Sequence, residues 1–307
     1  MRLSIVHETR YEYDTPVVLS QQLLHLTPRA LPWQTCEAHR ISVEPKVSEI
    51  AEREDYYGNR THHLLIALPH ETLLVRAESE VTVSPRAHAA LGAPRVAWEA
   101  VRARLRALDA PPLVEPAEFL YESPHVERSR DLADYAVKSF TARRAILESA
   151  SDLARRIHRD FKFDRTATSV STPLRQVLKT RRGVCQDFAH LMIGCLRSIG
   201  LAARYVSGYI LTAPPPGRPR LVGADASHAW ASIYCGERAG WIDLDPTNNC
   251  IVDDAHVTLA WGRDFADVTP MRGVILGGGA QQLGVHVTVT PKVEAALDLP
   301  QMSTPHG

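Results

Sequence analysis

Long apolar runs are missing from this sequence of 307 residues. A membrane-spanning helix needs about 18–20 consecutive apolar residues, and no segment approaches that length. The first eight residues, MRLSIVHE, also lack the apolar core of a secretory signal peptide. We therefore predict a protein that neither spans a membrane nor carries a recognisable signal for export.

Cysteines are few and scattered, and none forms a C-x-x-C pair. An odd number without paired spacing argues against a disulfide framework and against a zinc knuckle. This pattern fits a reducing compartment, so we predict a cytoplasmic location. The five cysteines stand at positions 36, 185, 195, 235 and 250.

A net charge is absent as well, because 35 Lys and Arg residues balance 35 Asp and Glu residues. Proteins that bind nucleic acid or anionic lipid usually carry a basic surplus. We therefore expect neither nucleic acid nor a membrane surface as partner.

The composition that remains is that of an ordinary globular protein, with 45% hydrophobic and 23% charged residues. Residues 1–84 carry alternating β-branched and aromatic residues, which predict an N-terminal antiparallel β domain. Residues 85–144 read as a helical connection, with predicted helices over 96–108 and 131–140. No flexible Gly/Ser linker separates these parts, so we expect the β domain to pack against the rest of the chain.

Residues 145–262 hold the sharpest pattern and are predicted to form the catalytic core. A helix over 143–158 opens it, and a second helix starts at Cys185 and stops at Gly200. A strand over 201–211 follows, then a hairpin of strands 228–235 and 241–244. Residues 263–307 are predicted to supply C-terminal strands and a tail. Among them, the strand over 283–289 is expected to return to the N-terminal β domain.

Cys185 is the candidate nucleophile because it opens a predicted helix. Unpaired N–H groups and the helix dipole favour the thiolate, which is the reactive form. We expect the preceding Arg181 and Arg182 to add to this effect. The alternative is a buried structural cysteine, which is the commoner fate of a free thiol and the interpretation we give to Cys195.

His228 and two nearby acids, Asp243 and Asp245, complete the candidate chemistry. A cysteine, a histidine and an orienting acid are the three parts of an activated nucleophile. With 14 histidines in the chain, any single one is more often structural, and we interpret His190 that way. His62 and His63 offer a metal pair only weakly, because adjacent strand residues point to opposite faces.

These residues lie in four linked motifs that together resemble the bacterial transglutaminase-like superfamily. The region ahead of them is also similar to the N-terminal region that precedes this core in many bacterial members. The resemblance implies an α+β fold with a papain-like core and a triad of Cys185, His228 and Asp245. The motifs, in order, are GVCQDF at 183–188, ARYVSGY at 203–209, HAW at 228–230 and GWIDLDPT at 240–247.

The resemblance implies a thiol enzyme that acts on amide bonds in peptides, isopeptides or glutamine side chains. Its reaction is hydrolysis or acyl transfer through a thioester, without a metal ion or an organic cofactor. The expected partner is a protein or peptide substrate, while oligomeric state does not follow from the sequence. Two alternatives stay open: a non-catalytic binding or scaffold protein on the same fold, and a metalloenzyme that uses the histidines.

Hairpin register decides independently which acid can reach His228. If the turn spans 236–239, Cys235 pairs with Gly240 and Trp230 lies opposite Asp245. His228 is then a diagonal neighbour of Asp245, about 7–8 Å away between backbones. Asp243 lies opposite Ser232 and is out of reach. The register therefore predicts that Asp245 orients His228.

Overall fold

A computed structural model describes residues 1–92, 94–107, 113–212 and 227–292. In chain order its strands are β1 (Arg2–Leu24), β2 (Gln34–Glu44), β3 (Glu49–Glu54), β4 (Arg60–Ile66), β5 (His70–Val83), β6 (Lys162–Phe163), β7 (Arg182–Gly183), β8 (Ala203–Ile210), β9 (Ser227–Tyr234), β10 (Trp241–Asp245), β11 (Cys250–Ile251), β12 (His256–Gly262), β13 (Met271–Gly277) and β14 (Gln281–Pro291). Its helices are α1 (Ala87–Leu91), α2 (Trp98–Ala107), α3 (Val114–Glu118), α4 (Arg130–Ala136), α5 (Ile146–Asp160), α6 (Leu174–Thr180) and α7 (Cys185–Ser198). This mixture of helices and antiparallel strands confirms the predicted α+β class.

The N-terminal sheet is built around β1, which is long enough to pair with two strands on each side. β5 and then β4 follow one edge of β1, while β14 and then β13 follow the other, all antiparallel. Leu3 thus faces Val81 on one side and Pro291 on the other. The predicted return of the strand over 283–289 is confirmed, and the C-terminal strands complete the N-terminal sheet.

Glycines allow the outer strand of this sheet to bend between β13 and β14. Gly277, Gly278 and Gly279 have φ values of 93°, 91° and 61°, a region that disfavours residues with a Cβ atom. A Cβ atom on Gly277 would lie only 2.5 Å from the carbonyl oxygen of Pro16. The bend therefore requires glycine at this position, both for backbone conformation and for space.

α7 lies at the centre of the second half of the molecule. Its residues from Asp187 to Arg197 are buried without interruption, because it packs on β8 and β9 and also contacts α4, α5 and α6. The sheet beside it has the order β11-β10-β9-β8-β12 and is antiparallel throughout. Cys185, the first residue of α7, is thereby held at one end of this sheet.

The two sheets are fastened together along β12, the edge strand of the second sheet. The side-chain amide of Gln34 bonds both the N–H and the C=O of Thr258, each at 2.8 Å. Asn59 does the same for Trp261, at 2.9 and 3.0 Å. These amides satisfy the open edge of β12 as a neighbouring strand would. The prediction that the N-terminal region packs against the core is confirmed.

Some elements differ from the sequence-based expectation. β1 runs as one strand through most of the first 24 residues, and β12 and β13 were not anticipated. The tail expected in the last dozen residues lies outside the described residues. Among the described residues, no helix combines the length and apolar character that crossing a bilayer requires.

Candidate functional site

The N-terminus of α7 places the Cys185 thiol, which is half-buried, at the end of the central helix. Its first turn is capped by Asp187, whose carboxylate accepts the N–H of Val184 at 2.8 Å and the hydroxyl of Thr168 at 2.7 Å. A Cβ atom on Gly183 would come within 2.7 Å of this carboxylate. The GVCQD sequence therefore encodes the cap, and the N–H of Cys185 has no i−4 partner within the helix.

The two arginines before Cys185 are engaged by other groups. The guanidinium of Arg182 pairs with Asp164 at 3.2 Å. That of Arg181 lies over the rings of Tyr135 and Phe161, at 5.0 and 4.6 Å from their centroids. Their contacts fix the segment that leads into α7, and so they support the position of Cys185 through the backbone.

His228, near the start of β9, meets both of the other candidate residues. Its Nε2 atom lies 2.7 Å from Oδ2 of Asp245, and the thiol of Cys185 lies close enough to the ring to raise its pKa. Burial alone would lower the pKa of His228, but the hydrogen bond to Asp245 and the nearby thiol of Cys185 outweigh it and raise that pKa to about 10. The ring is thus stabilised in its charged form, facing a thiol.

Asp245 is fully buried and is surrounded by hydrogen-bond donors. The N–H groups of Thr247 and Asn248 donate to its Oδ1 atom, at 2.8 and 3.1 Å. Its Oδ2 atom meets Nε2 of His228 and the side-chain amide of Asn248, each at 2.7 Å. Burial would raise the pKa of Asp245, but these bonds outweigh it and hold that pKa well below its usual range. The site therefore favours the carboxylate form of Asp245.

The hairpin register agrees with the sequence argument. Asp243 pairs with Ser232, and the N–H of Cys235 bonds the C=O of Gly240 at 2.8 Å. The carboxylate of Asp243 instead meets the guanidinium of Arg86 at 3.1 Å. The structure therefore brings Cys185, His228 and Asp245 together and leaves Asp243 with a different partner.

His256, the first residue of β12, also reaches this site and was missed in the sequence. Its Nε2 atom lies 3.3 Å from Oδ2 of Asp245, and its ring packs edge-on against Trp230 at 5.4 Å. Its place depends on the pairing of β12 with β8, which joins segments about 50 residues apart. No local pattern around position 256 indicates that contact.

The ligand atoms of His228, Asp245 and His256 lie within 4.8 Å of one another, which raises the question of a metal ion. Their arrangement is that of donors around an acceptor, because both ring nitrogens point at the same carboxylate oxygen. The amide nitrogen of Asn248, which is a donor and no metal ligand, also faces that oxygen. The geometry fits a hydrogen-bonded carboxylate better than a metal centre.

The residues interpreted as structural in the sequence are buried in the core. Cys195, on the same helix as Cys185, is inaccessible, and burial raises the pKa of its thiol to about 12. His190 accepts the N–H of Phe265 at 3.1 Å, and burial lowers its pKa to about 3. Neither side chain is placed to take part in chemistry at Cys185.

Comparison with known proteins matches both halves of this architecture. Residues 3–82 match the bacterial transglutaminase-like N-terminal region, and residues 130–246 match the transglutaminase-like superfamily. The chain belongs to the transglutaminase-like superfamily. The family expected from the four motifs is therefore confirmed, and with it the transglutaminase-like, papain-like character of the core.

Similarity to other proteins extends over nearly the whole chain. An uncharacterized protein of Mycobacterium tuberculosis is 39% identical over 296 residues, which is 94% of this chain and 93% of that protein. A solved structure from Cytophaga hutchinsonii, named "Putative Cysteine Protease", is 21% identical with a TM-score of 0.73. It covers 94% of this chain and 90% of its own, and shows that the complete fold recurs.

A shorter part of the chain is similar to a transferase. A protein-glutamine gamma-glutamyltransferase of Pseudomonas aeruginosa is 32% identical over 123 residues. That match covers 39% of this chain and 18% of the transferase. The match to the transglutaminase-like core and this partial match support a thiol enzyme family.

Proposed function

We propose that this protein is a thiol enzyme that acts on amide bonds through a triad of Cys185, His228 and Asp245. The single observation that supports it best is the grouping of the Cys185 thiol at the helix tip with the His228 imidazole that it helps to keep charged and the buried Asp245 carboxylate, 2.7 Å from that imidazole. A thiol that meets a histidine stabilised in its charged form is the arrangement that a cysteine nucleophile requires. The substrate class is a protein or peptide.

The reaction then proceeds in two stages. The thiolate of Cys185 attacks an amide carbonyl, and the oxyanion is stabilised by the free N–H of Cys185 at the helix N-terminus. The C–N bond breaks as His228 gives its proton to the leaving amine, which leaves a thioester on Cys185. Water then yields an acid, or an amine yields a new amide, as His228 takes back a proton. Each step uses only these side chains, with no metal ion or organic cofactor.

The test is incubation of the full chain with peptide and amine libraries, followed by mass spectrometry of the products. We expect hydrolysed or amine-linked products from the wild type and none from Cys185→Ala. Cys36→Ala is the matched control, because Cys36 is also half-buried but lies in the N-terminal sheet. It should retain full activity, and neither calcium nor chelators should change the rate.

Two outcomes would contradict this function. Retained turnover in Cys185→Ala would show that Cys185 is not the nucleophile. Activity that disappears with a chelator and returns with a metal ion would favour the metalloenzyme alternative. The ratio of hydrolysed to amine-linked product would separate the two reactions of the thioester.

We also propose a cytoplasmic location for this enzyme. The support is that its five cysteines are free thiols, including the nucleophile, and these are retained most readily in a reducing compartment. Fractionation of cells that express the full chain tests this, and recovery outside the cytoplasm would overturn it.

A further inference from the structure

A second histidine, His256, contacts Asp245, although the triad does not require it. His256 is 4% exposed and directs its Nε2 atom at the same Oδ2 atom that accepts the hydrogen bond from His228. Because Asp245 is a carboxylate and can only accept, Nε2 of His256 must carry the hydrogen and donate it.

His256 uses only one of its two ring nitrogens in a hydrogen bond. Nδ1 is buried and has no hydrogen-bond partner among the described residues. His7, which is equally buried, uses both nitrogens, with Tyr209 at 2.8 Å and Thr9 at 3.1 Å. A buried ring that leaves one nitrogen unpaired to direct the other at a carboxylate calls for an explanation at that carboxylate.

The position of His256 is well fixed from outside the site. Its ring packs edge-on against Trp230, and two residues further along β12 the backbone of Thr258 is bonded on both sides by Gln34. The strand that presents His256 is thereby fastened to the N-terminal sheet. A donor held this rigidly can fix the rotation of the carboxylate it contacts.

We propose that His256 is a positioning residue that holds the Asp245 carboxylate in the orientation His228 needs. Without this donor, Oδ2 would keep only the bonds from His228 and Asn248, and the carboxylate would lose the contact from β12 that opposes its rotation about the Oδ1 bonds to the N–H groups of Thr247 and Asn248. This inference rests on the proposed triad and adds a fourth member, supplied by the strand that joins the two sheets.

The experiment compares His256→Gln with His256→Met in the full chain. The two side chains have similar length and volume, but only Gln offers an N–H where Nε2 stands. Iodoacetamide labelling of Cys185, resolved by mass spectrometry, is the substrate-free readout. We expect His256→Met to label about 10–100-fold more slowly than wild type, and His256→Gln to recover most of that rate. With an active substrate, kcat should fall in His256→Met while KM stays unchanged.

Thermal melting of both variants distinguishes positioning from packing. Equal melting temperatures with unequal labelling rates support the proposal. Wild-type labelling in both variants would overturn it, because Asp245 would then need no further donor. Equally slow labelling with equally low melting temperatures would also overturn it, since a role in packing would suffice. If Cys185 of the wild type labels no faster than Cys195, the proposed triad itself fails, and this inference fails with it.

Discussion

Buried histidines behave in opposite ways in the two sheets. In the N-terminal sheet the partners of His7 are the hydroxyl groups of Tyr209 and Thr9, and burial lowers its pKa to about 4. In the second sheet His228 is also buried, yet its pKa is raised to about 10 because it meets a carboxylate and a thiol. Depth of burial is similar, so the partner decides the charge of the ring.

This difference gives the two histidines opposite pH dependence. The neutral form of His7 is favoured by folding, so its contribution to stability is present above pH 6.5 and is lost as pH falls toward 4. The charged form of His228 is favoured, so its contribution is present below pH 6.5 and is lost as pH rises through about 10. His7 is therefore a source of sensitivity to acid, and His228 a source of sensitivity to base.

Of these changes, removal of the carboxylate that contacts His228 should have the largest effect on activity. Asp245→Asn leaves His228 buried without an anionic neighbour, so the imidazole is misoriented and no longer stabilised in its charged form. We expect kcat to fall by about 10³–10⁴-fold. The rate is measured with the best substrate from the peptide and amine libraries, corrected for the folded fraction.

Asp243→Asn is the matched control on the same strand, two residues away. Asp243 pairs with Arg86, so its loss should cost about 1–3 kcal/mol of unfolding free energy and leave kcat near the wild-type value. If both variants lost activity equally, the distinction between the two acids would be wrong.

A smaller effect, on the pH dependence of stability, is expected from replacing His7, whose partners are hydroxyl groups. His7→Asn keeps a polar atom near Tyr209 but cannot titrate, so it should escape the acid destabilisation of the wild type. Between pH 6.5 and 4, we expect the wild type to lose about 3 kcal/mol more unfolding free energy than this variant. Urea unfolding at both pH values gives the difference.

His286→Asn controls for substitution alone. His286 is exposed on β14, beside the strand that carries His7. It should show the same acid sensitivity as the wild type. If His7→Asn were as acid-sensitive as His286→Asn, burial of His7 would not be the cause.

Local signals in the sequence predicted a large part of the site. The capped start of α7, the apolar spacing behind it and the register of the β9–β10 hairpin all depend on residues close together in the chain. From them Cys185 could be placed at a helix tip and Asp245 chosen over Asp243. The contacts of His228 and the pairing of Asp243 with Ser232 agree with that interpretation.

The parts that could not be predicted depend on pairing between distant segments. His256 reaches Asp245 because β12 pairs with β8 and is fastened by Gln34 and Asn59. Arg181 and Arg182 stand next to Cys185 in sequence, but aromatic rings and Asp164 hold their guanidinium groups. Proximity in the chain therefore suggested an effect of the two arginines on the Cys185 thiolate that their contacts do not indicate. It gave no indication that His256 reaches the site.

The most direct test of the central claim is site-resolved alkylation of the native protein near neutral pH. Cys185 and Cys195 lie on the same helix, one half-buried at its tip beside His228 and the other inaccessible in the core. Iodoacetamide should modify Cys185 rapidly while Cys195 stays unmodified, and both should react alike after denaturation. Equal rates in the native protein, or faster reaction at Cys195, would contradict the assignment of Cys185 as an activated nucleophile.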